Sequence, residues 1–253
     1  MEGIFYKDQG TGPVIILLHG FCETHQIWDG FAEELAKEFR VITPDLPGFG
    51  KSELPPQPFS IADIGSQMVA WVSYLKIAKP VIIGHSLGGY IALAMAKINK
   101  SQFSGIGLFH STAFADSEEK KANRNKTIDF VQKHGLEPFV ESFVPSLFYQ
   151  KNHPQIPFVK DLTGKTQINT FLGYTHAMKD RPTSENFIQN IGSYLLILSG
   201  IYDSIIPHQT SIEASLLAKN AIFKPLDDTG HMGMFESAND ALSAIVDFRK
   251  YRI

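Results

Sequence analysis

The sequence predicts an α/β protein: a mostly parallel sheet with helices on both faces, interrupted by an all-helical insertion. Three observations lead there. Short apolar runs alternate with amphipathic stretches in the first half of the chain, the rhythm of strands wound with helices into a parallel sheet. The runs are apolar at nearly every position, as strands covered on both faces must be. The rhythm then stops, only helical spacing follows, and it resumes near the C-terminus.

The first buried strand is Val14 to Leu18, a continuous Val-Ile-Ile-Leu-Leu run. His25 to Phe39 follows with Ile27, Phe31, Leu35 and Phe39 at helical spacing. Arg40 to Thr43 is a second strand. Ile61 to Leu75 is a helix with Ile61, Ile64, Met68, Val72 and Leu75 along one side. Pro80 to Ile83 is a third strand, Leu87 to Ile98 an Ala-rich helix, and Gly105 to Phe109 a fourth strand. From Ala113 to Pro182 the pattern is helical, clearest over Ser117 to His134, Leu136 to Tyr149 and Gln167 to Met178. A strand at Tyr194 to Leu198, a helix at His208 to Leu217, a strand at Ala221 to Pro225 and a helix at Ala238 to Lys250 complete the chain. The expected organisation is a core of residues 1–112 and 183–253 with an inserted helical cap over 113–182. An insertion that leaves and returns at strand ends is placed over the carboxyl edge of the sheet, where open parallel sheets bind ligands.

Composition narrows the function. Over 253 residues the net charge is −3, which excludes a generally basic nucleic-acid footprint. The single cysteine, Cys22, excludes an intramolecular disulfide and a multi-cysteine metal site. The N-terminus lacks a basic and apolar leader, and no apolar run spans a bilayer. A cytoplasmic protein, monomeric or homodimeric, with a small-molecule substrate and neither membrane nor nucleic-acid partner is expected.

The sharpest motif is Gly84-His85-Ser86-Leu87-Gly88-Gly89, directly after a strand and opening a helix. That is the context of a nucleophile elbow, in which a tight turn lifts a serine hydroxyl above the sheet. Glycines at 84 and 88 permit the turn. Serine needs a base, and in this architecture the order along the chain is nucleophile, acid, histidine. His231, in Thr229-Gly-His-Met-Gly233, follows the last strand. Asp203, in Ser199-Gly-Ile-Tyr-Asp203, follows the strand before it and would orient His231. Asp227 and Asp228 lie too near His231 in sequence and read as turn residues. The oxyanion donors would be the amide of Leu87 and, in the His19-Gly-Phe-Cys22 loop, that of Phe21.

Together these residues resemble the α/β-hydrolase superfamily, in its subgroup of small cap-bearing bacterial serine hydrolases. His19-Gly-Phe21, Asp45-Leu-Pro-Gly-Phe-Gly-Lys-Ser52, the elbow, Asp203 with Pro207, and Gly230-His231 fall in family order. Ala115-Asp-Ser-Glu-Glu119 and Arg124 are similar to the start of the cap in carboxylesterases and enol-lactonases. The resemblance implies an α/β-hydrolase fold and hydrolysis of a small carboxylic ester or lactone, with Ser86, Asp203 and His231 catalytic and no cofactor or metal. Alternatives on the same fold are a carbon–carbon bond hydrolase and a slow-turnover ligand sensor. Family members begin with two antiparallel strands, and the short stretch before Val14 leaves one of them short or missing.

Other features read as structural. Gly48-Phe-Gly-Lys-Ser52 has Asp45 where a phosphate loop needs glycine, and reads as a tight surface loop. Cys22 reads as a packing residue, and His19 and His85 as residues that orient loops. His25 and His110 lie near carboxyl edges. Lys120, Lys121 and Lys126 read as a solvated helix face, and Arg124 as a side chain that would either join them or meet an acidic group on the substrate. Two or three of the many aromatic residues of the insertion should face the ligand.

Overall fold

In the computed structural model, which describes residues 3–251, seven strands form one sheet in the order β1-β3-β2-β4-β5-β6-β7. In chain order the elements are β1 (Tyr6–Gln9), β2 (Val14–Leu18), a 3₁₀ turn (His25–Trp28), α1 (Asp29–Leu35), β3 (Arg40–Pro44), α2 (Ile61–Tyr74), β4 (Val81–His85), α3 (Leu87–Ile98), a second 3₁₀ turn (Lys100–Gln102) and β5 (Gly105–Phe109). Five helices follow: α4 (Glu118–His134), α5 (Glu137–Leu147), α6 (Ile156–Gly164), α7 (Ile168–Lys179) and α8 (Glu185–Gln189). Then come β6 (Tyr194–Gly200), α9 (His208–Leu217), β7 (Ala221–Leu226), α10 (Gly233–Glu236) and α11 (Ala238–Tyr251).

β1 pairs antiparallel with β3, and every other pairing is parallel. Among the described residues a single antiparallel strand therefore precedes β2, in line with the short N-terminal stretch. β4 and β5 are buried at every position. Their runs are apolar because helices cover both faces of the sheet. The winding reverses between β2 and β4: β3 lies on one side of β2, while β4, β5, β6 and β7 extend on the other. A crevice opens at such a reversal, outside the carboxyl ends of the two strands. The loops after β2 and β4 carry Phe21 and Ser86.

The helix expected over His25 to Phe39 is instead the first 3₁₀ turn followed by α1, ending at Leu35. α2 is started by a capping box between Ser60 and Asp63. No strand interrupts the segment between β5 and β6. α6 falls inside the stretch read as helical, outside its three clearest parts, and the proline in its first turn removes only an N–H that has no partner there. α8, beyond Pro182, is an additional short helix. No helix among the described residues is long and apolar enough to cross a membrane.

Backbone crowding shapes the β4–α3 turn. A Cβ on Gly84 would lie 2.1 Å from the carbonyl carbon of Gly88, and one on Gly88 would lie 2.5 Å from the Leu18 carbonyl oxygen. Both glycines are needed for close approach of rigid backbone, and α3 begins directly against the end of β2. Gly84→Ala should destabilise the protein by about 1–3 kcal/mol or more, because the clash is with backbone and cannot be relieved by a rotamer change. Urea unfolding of the variant beside the wild type measures it; an unchanged midpoint would show that the turn is not crowded.

Candidate active site

Ser86 stands at the turn with φ 49° and ψ −112°, outside the comfortable region for a side-chain-bearing residue. It occupies the position before the first residue of α3, yet its hydroxyl makes no capping hydrogen bond. Its backbone is clamped instead. The Ser86 N–H donates to the Phe109 carbonyl (2.9 Å) and the Ser111 hydroxyl donates to the Ser86 carbonyl (2.7 Å). A strained backbone held by its neighbours is characteristic of functional turns.

Ser86 and His231 line one cavity of about 300 Å³. His231 sits on the loop after β7, where its N–H donates to the Leu147 carbonyl at the end of α5 (2.6 Å). Glu236 holds the same loop by accepting from the Gly230 N–H (2.9 Å) and the Met232 N–H (3.3 Å). Nδ1 of His231 lies 2.8 Å from Oδ2 of Asp203. The structure thus brings together the Asp203 and His231 expected from chain order, and puts His231 and Ser86 on one cavity wall. Phe21 lines the same cavity, and Leu87 is the first residue of α3. Because α3 begins against the end of β2, the loop carrying Phe21 and the amide of Leu87 are neighbours.

Asp203 is fully engaged. Its Oδ1 accepts from the N–H groups of Ile205 (2.8 Å) and Ile206 (2.9 Å), and its Oδ2 faces His231 and also Nδ1 of His110 (3.2 Å). Burial alone would raise its pKa. The electrostatic interaction with His231 and the hydrogen bonds from both imidazoles outweigh it and hold the carboxyl well below the usual carboxylate range. His110 is fully buried, and its Nε2 accepts the Gly233 N–H (3.2 Å). Burial, against the attraction of Asp203, pushes its pKa down to about 4, so it is neutral at pH 7. Sequence reading placed His110 near the carboxyl edge but did not connect it to Asp203, which is 93 residues away along the chain. His110, Asp203 and His231 also have the composition of a metal site, with donor atoms within 4.8 Å of one another. The carboxylate oxygens and the His110 nitrogens already hold hydrogen bonds with the fold, so metal ligation would have to displace them.

A second buried pair lies beneath Ser86. Nδ1 of His85 is 3.0 Å from Oε2 of Glu23, and Nε2 is 2.9 Å from the His231 carbonyl oxygen. Both oxygens can only accept, so both ring nitrogens carry protons and His85 is an imidazolium. Burial works against this charge. The adjacent Glu23 carboxylate and the His231 carbonyl overcome it and raise the pKa. In turn the His85 charge and hydrogen bond, with the Gly20 N–H donating at 2.6 Å, lower that of Glu23 against its own burial. No sequence signal pointed to Glu23, whose partner is 62 positions away. His19 has the loop-orienting role expected of it: Nδ1–H donates to the Gly20 carbonyl (2.8 Å) and Nε2 accepts the Leu46 N–H (2.9 Å).

The Gly48–Ser52 segment is a tight turn with Gly50 and Lys51 exposed, although Phe49 and Ser52 within it are buried. Asp45 accepts from the backbone and ring of His25 and from the Lys51 N–H, which folds the segment inward and takes His25 away from the cavity. Lys120 is not on a solvated face but on the cavity wall, with Arg124. Of the aromatic residues of the 113–182 segment, Phe139 and Phe143 line the cavity, stacked with ring centres 4.7 Å apart. Cys22 is buried, which raises its thiol pKa and leaves it unreactive.

A family model for the alpha/beta hydrolase fold matches residues 13–133. A thermophilic esterase from Thermogutta terrifontis, malate bound, superposes with a TM-score of 0.92 and 28% sequence identity, covering 99% of this chain and 94% of that one. The enol-lactonase from Burkholderia xenovorans LB400 superposes with a TM-score of 0.89 and 22% identity, covering 97% of this chain and 96% of that one. An uncharacterized protein of Mycobacterium tuberculosis is 40% identical over 91 residues, 36% of this chain. That match spans 27% of the length of the mycobacterial protein, about a quarter. The chain has the α/β-hydrolase fold and is similar to small bacterial esterases.

The neutral, buried His110 makes stability depend on pH with a definite sign. Unfolded, a histidine titrates near 6.5, whereas His110 in the fold takes a proton only near 4. Between these values the unfolded chain binds the proton and the native one does not, so stability falls as pH falls. His19, also lowered by burial, adds to the same trend. His85, raised, acts elsewhere: its contribution is complete below about 6.5 and is lost as pH rises through its folded pKa. Between about pH 7 and about pH 5, His110→Gln should lose about 2 kcal/mol less stability than the wild type, measured by urea unfolding at each pH. Equal losses would mean that His110 is protonated in the native state.

Proposed function

We propose that this protein is a serine hydrolase that cleaves a small carboxylic ester or lactone through an acyl-enzyme on Ser86. The observation that supports this most is the uncapped Ser86 hydroxyl, on a strained elbow, sharing a cavity with a histidine whose far nitrogen meets a buried carboxylate. In this reading His231 takes the Ser86 proton as the hydroxyl attacks the carbonyl, and Asp203 holds the imidazole tautomer and stabilises the imidazolium that forms. The amides of Phe21 and Leu87 receive the oxyanion. His231 then protonates the leaving alcohol, and water, activated by the same imidazole, releases the acid. Neutral His110 fixes Asp203 from the other side without placing a competing positive charge beside it. No step requires a cofactor. The similarity to an esterase and an enol-lactonase supports the reading.

The helices of residues 113–182 act as a cap over the core of residues 1–112 and 183–253. Phe139, Phe143, Leu147 and Met178 supply an apolar wall against which an acyl chain is buried.

A fluorophosphonate should add once, on the peptide containing Ser86, as located by intact mass and peptide mapping. Ser86→Ala should abolish both the adduct and the hydrolysis of p-nitrophenyl esters. Labelling at another serine overturns the assignment, and rapid labelling without turnover identifies a ligand sensor instead. Within a series of p-nitrophenyl esters, each buried CH₂ should contribute about 0.8 kcal/mol, roughly a fourfold gain in kcat/KM. The gain should run from acetyl to about butyryl or hexanoyl and then reverse as the cavity fills. A profile that is flat across the series would show that the apolar wall does not hold the acyl chain.

A further inference from the structure

The cap helix α4 turns an unusual face to the cavity. Lys120, Asn123, Arg124 and Thr127 are spaced three and four apart, so they lie along one stripe of the helix. All four line the cavity that holds Ser86 and His231. A charged stripe is ordinarily turned to water; here it faces the phenylalanine pair of α5 across a ligand-sized space.

The charge along this wall is positive. The acid among the described lining residues, Glu23, is committed to His85 and to the Gly20 amide. Arg124 meets Asp116 through Nε, and Asp116 is shared with Arg181, whose Nη1 lies 2.8 Å from Oδ1. One buried carboxylate between two guanidinium groups leaves a net positive charge. Engagement through Nε also leaves the terminal nitrogens of Arg124, part of the fork that binds carboxylates, unspent on that acid. Arg181 is not among the residues lining this cavity and stacks on Tyr90, 3.9 Å from the ring centre. Lys120 donates to the Ile205 carbonyl (3.2 Å), a neutral partner. Glu119 and Glu213 lie on the outer cleft beyond Lys120, not on the cavity wall.

We propose that the substrate carries a carboxylate at the end remote from the scissile bond, held by Lys120 and Arg124, with the apolar wall of α5 against the methylenes between. The ester or lactone is thus a half-ester of a dicarboxylic acid or its cyclic counterpart. This deepens the serine-hydrolase reading and rests on it for the position of the reacting carbonyl. The buried Asp116 has a defined part: it fixes the Arg124 side chain before the ligand arrives, so less freedom is lost on binding.

Monomethyl glutarate and methyl butyrate are the deciding pair, since they differ only by the remote carboxylate. Wild-type kcat/KM, followed by methanol release, should favour monomethyl glutarate by about tenfold or more, as a charge-assisted contact implies. The preference should shrink as salt is raised. Lys120→Met and Arg124→Gln should each reduce the ratio of the two kcat/KM values by about tenfold. Equal rates, or a preference for methyl butyrate, overturn the proposal. A binding experiment separates its failure from failure of the hydrolase reading. In the Ser86→Ala protein, dissociation constants of the same two esters, measured by NMR titration, should show the same preference and the same loss on adding Lys120→Met. If neither ester is cleaved and Ser86 does not label, the hydrolase reading falls while this titration still decides the anion site. Equal dissociation constants there overturn it.

Discussion

The candidate site depends on a buried imidazolium. His85 precedes the strained serine, and its two ring nitrogens reach a carboxylate in the loop after β2 and a backbone carbonyl in the loop after β7. One side chain thus joins the three loops that carry Phe21, Ser86 and His231. The joint is rigid because it is charged and buried. Removing either partner would leave the other charge buried without compensation, a state that costs several kcal/mol. The crowding of the β4–α3 turn acts with it, since glycines at 84 and 88 let α3 start against the end of β2. Backbone contact fixes where the elbow stands, and the ion pair fixes where the flanking loops stand relative to it.

Asp203 is controlled as tightly by a different means. Two amides of its own loop hold one oxygen, which aims the other at His231 and His110. The two histidines on this oxygen are unlike. His231 lines the cavity, whereas His110 is sealed in the core and stays neutral to about pH 4. Three buried histidines thus cluster with ring centres between 4.9 and 6.1 Å apart, and burial and partners shift His85 and His110 in opposite directions. Local partners set the two apart: His85 faces two oxygens, while His110 faces one carboxylate oxygen and the N–H groups of Gly200 and Gly233.

The cavity divides its polarity between two helices. α5 contributes phenylalanines and α4 a polar stripe. Of that stripe, Arg124 is held by Asp116, just before α4, which also pairs with Arg181, just after α7, so the helical segment carries its own internal ion pairs near its two ends. Chain geometry and electrostatics coincide there. Asp116, which ties the two ends of the helical segment together through Arg181, also orients Arg124 on the cavity wall.

Much of this protein was legible in its sequence. Strands such as Val14–Leu18 and Gly105–Phe109 announce themselves because burial on both faces demands unbroken apolar runs, and Ser86 because a tight strand–helix turn demands glycines at fixed spacing. The order of Asp203 and His231 along the chain followed from the order of strands at the carboxyl edge. What sequence could not supply are pairings between residues far apart in the chain. Glu23 reads as a loop acid until His85 is placed beside it, and His110 as an edge histidine until it is found on Asp203. Lys120 belongs to a helix so polar that its composition speaks of solvent, and the sequence leaves Arg124 between solvent and substrate. Periodicity reports which residues share a face of a helix, but what that face meets is decided by tertiary packing, because the field at each side chain is set by its neighbours in space.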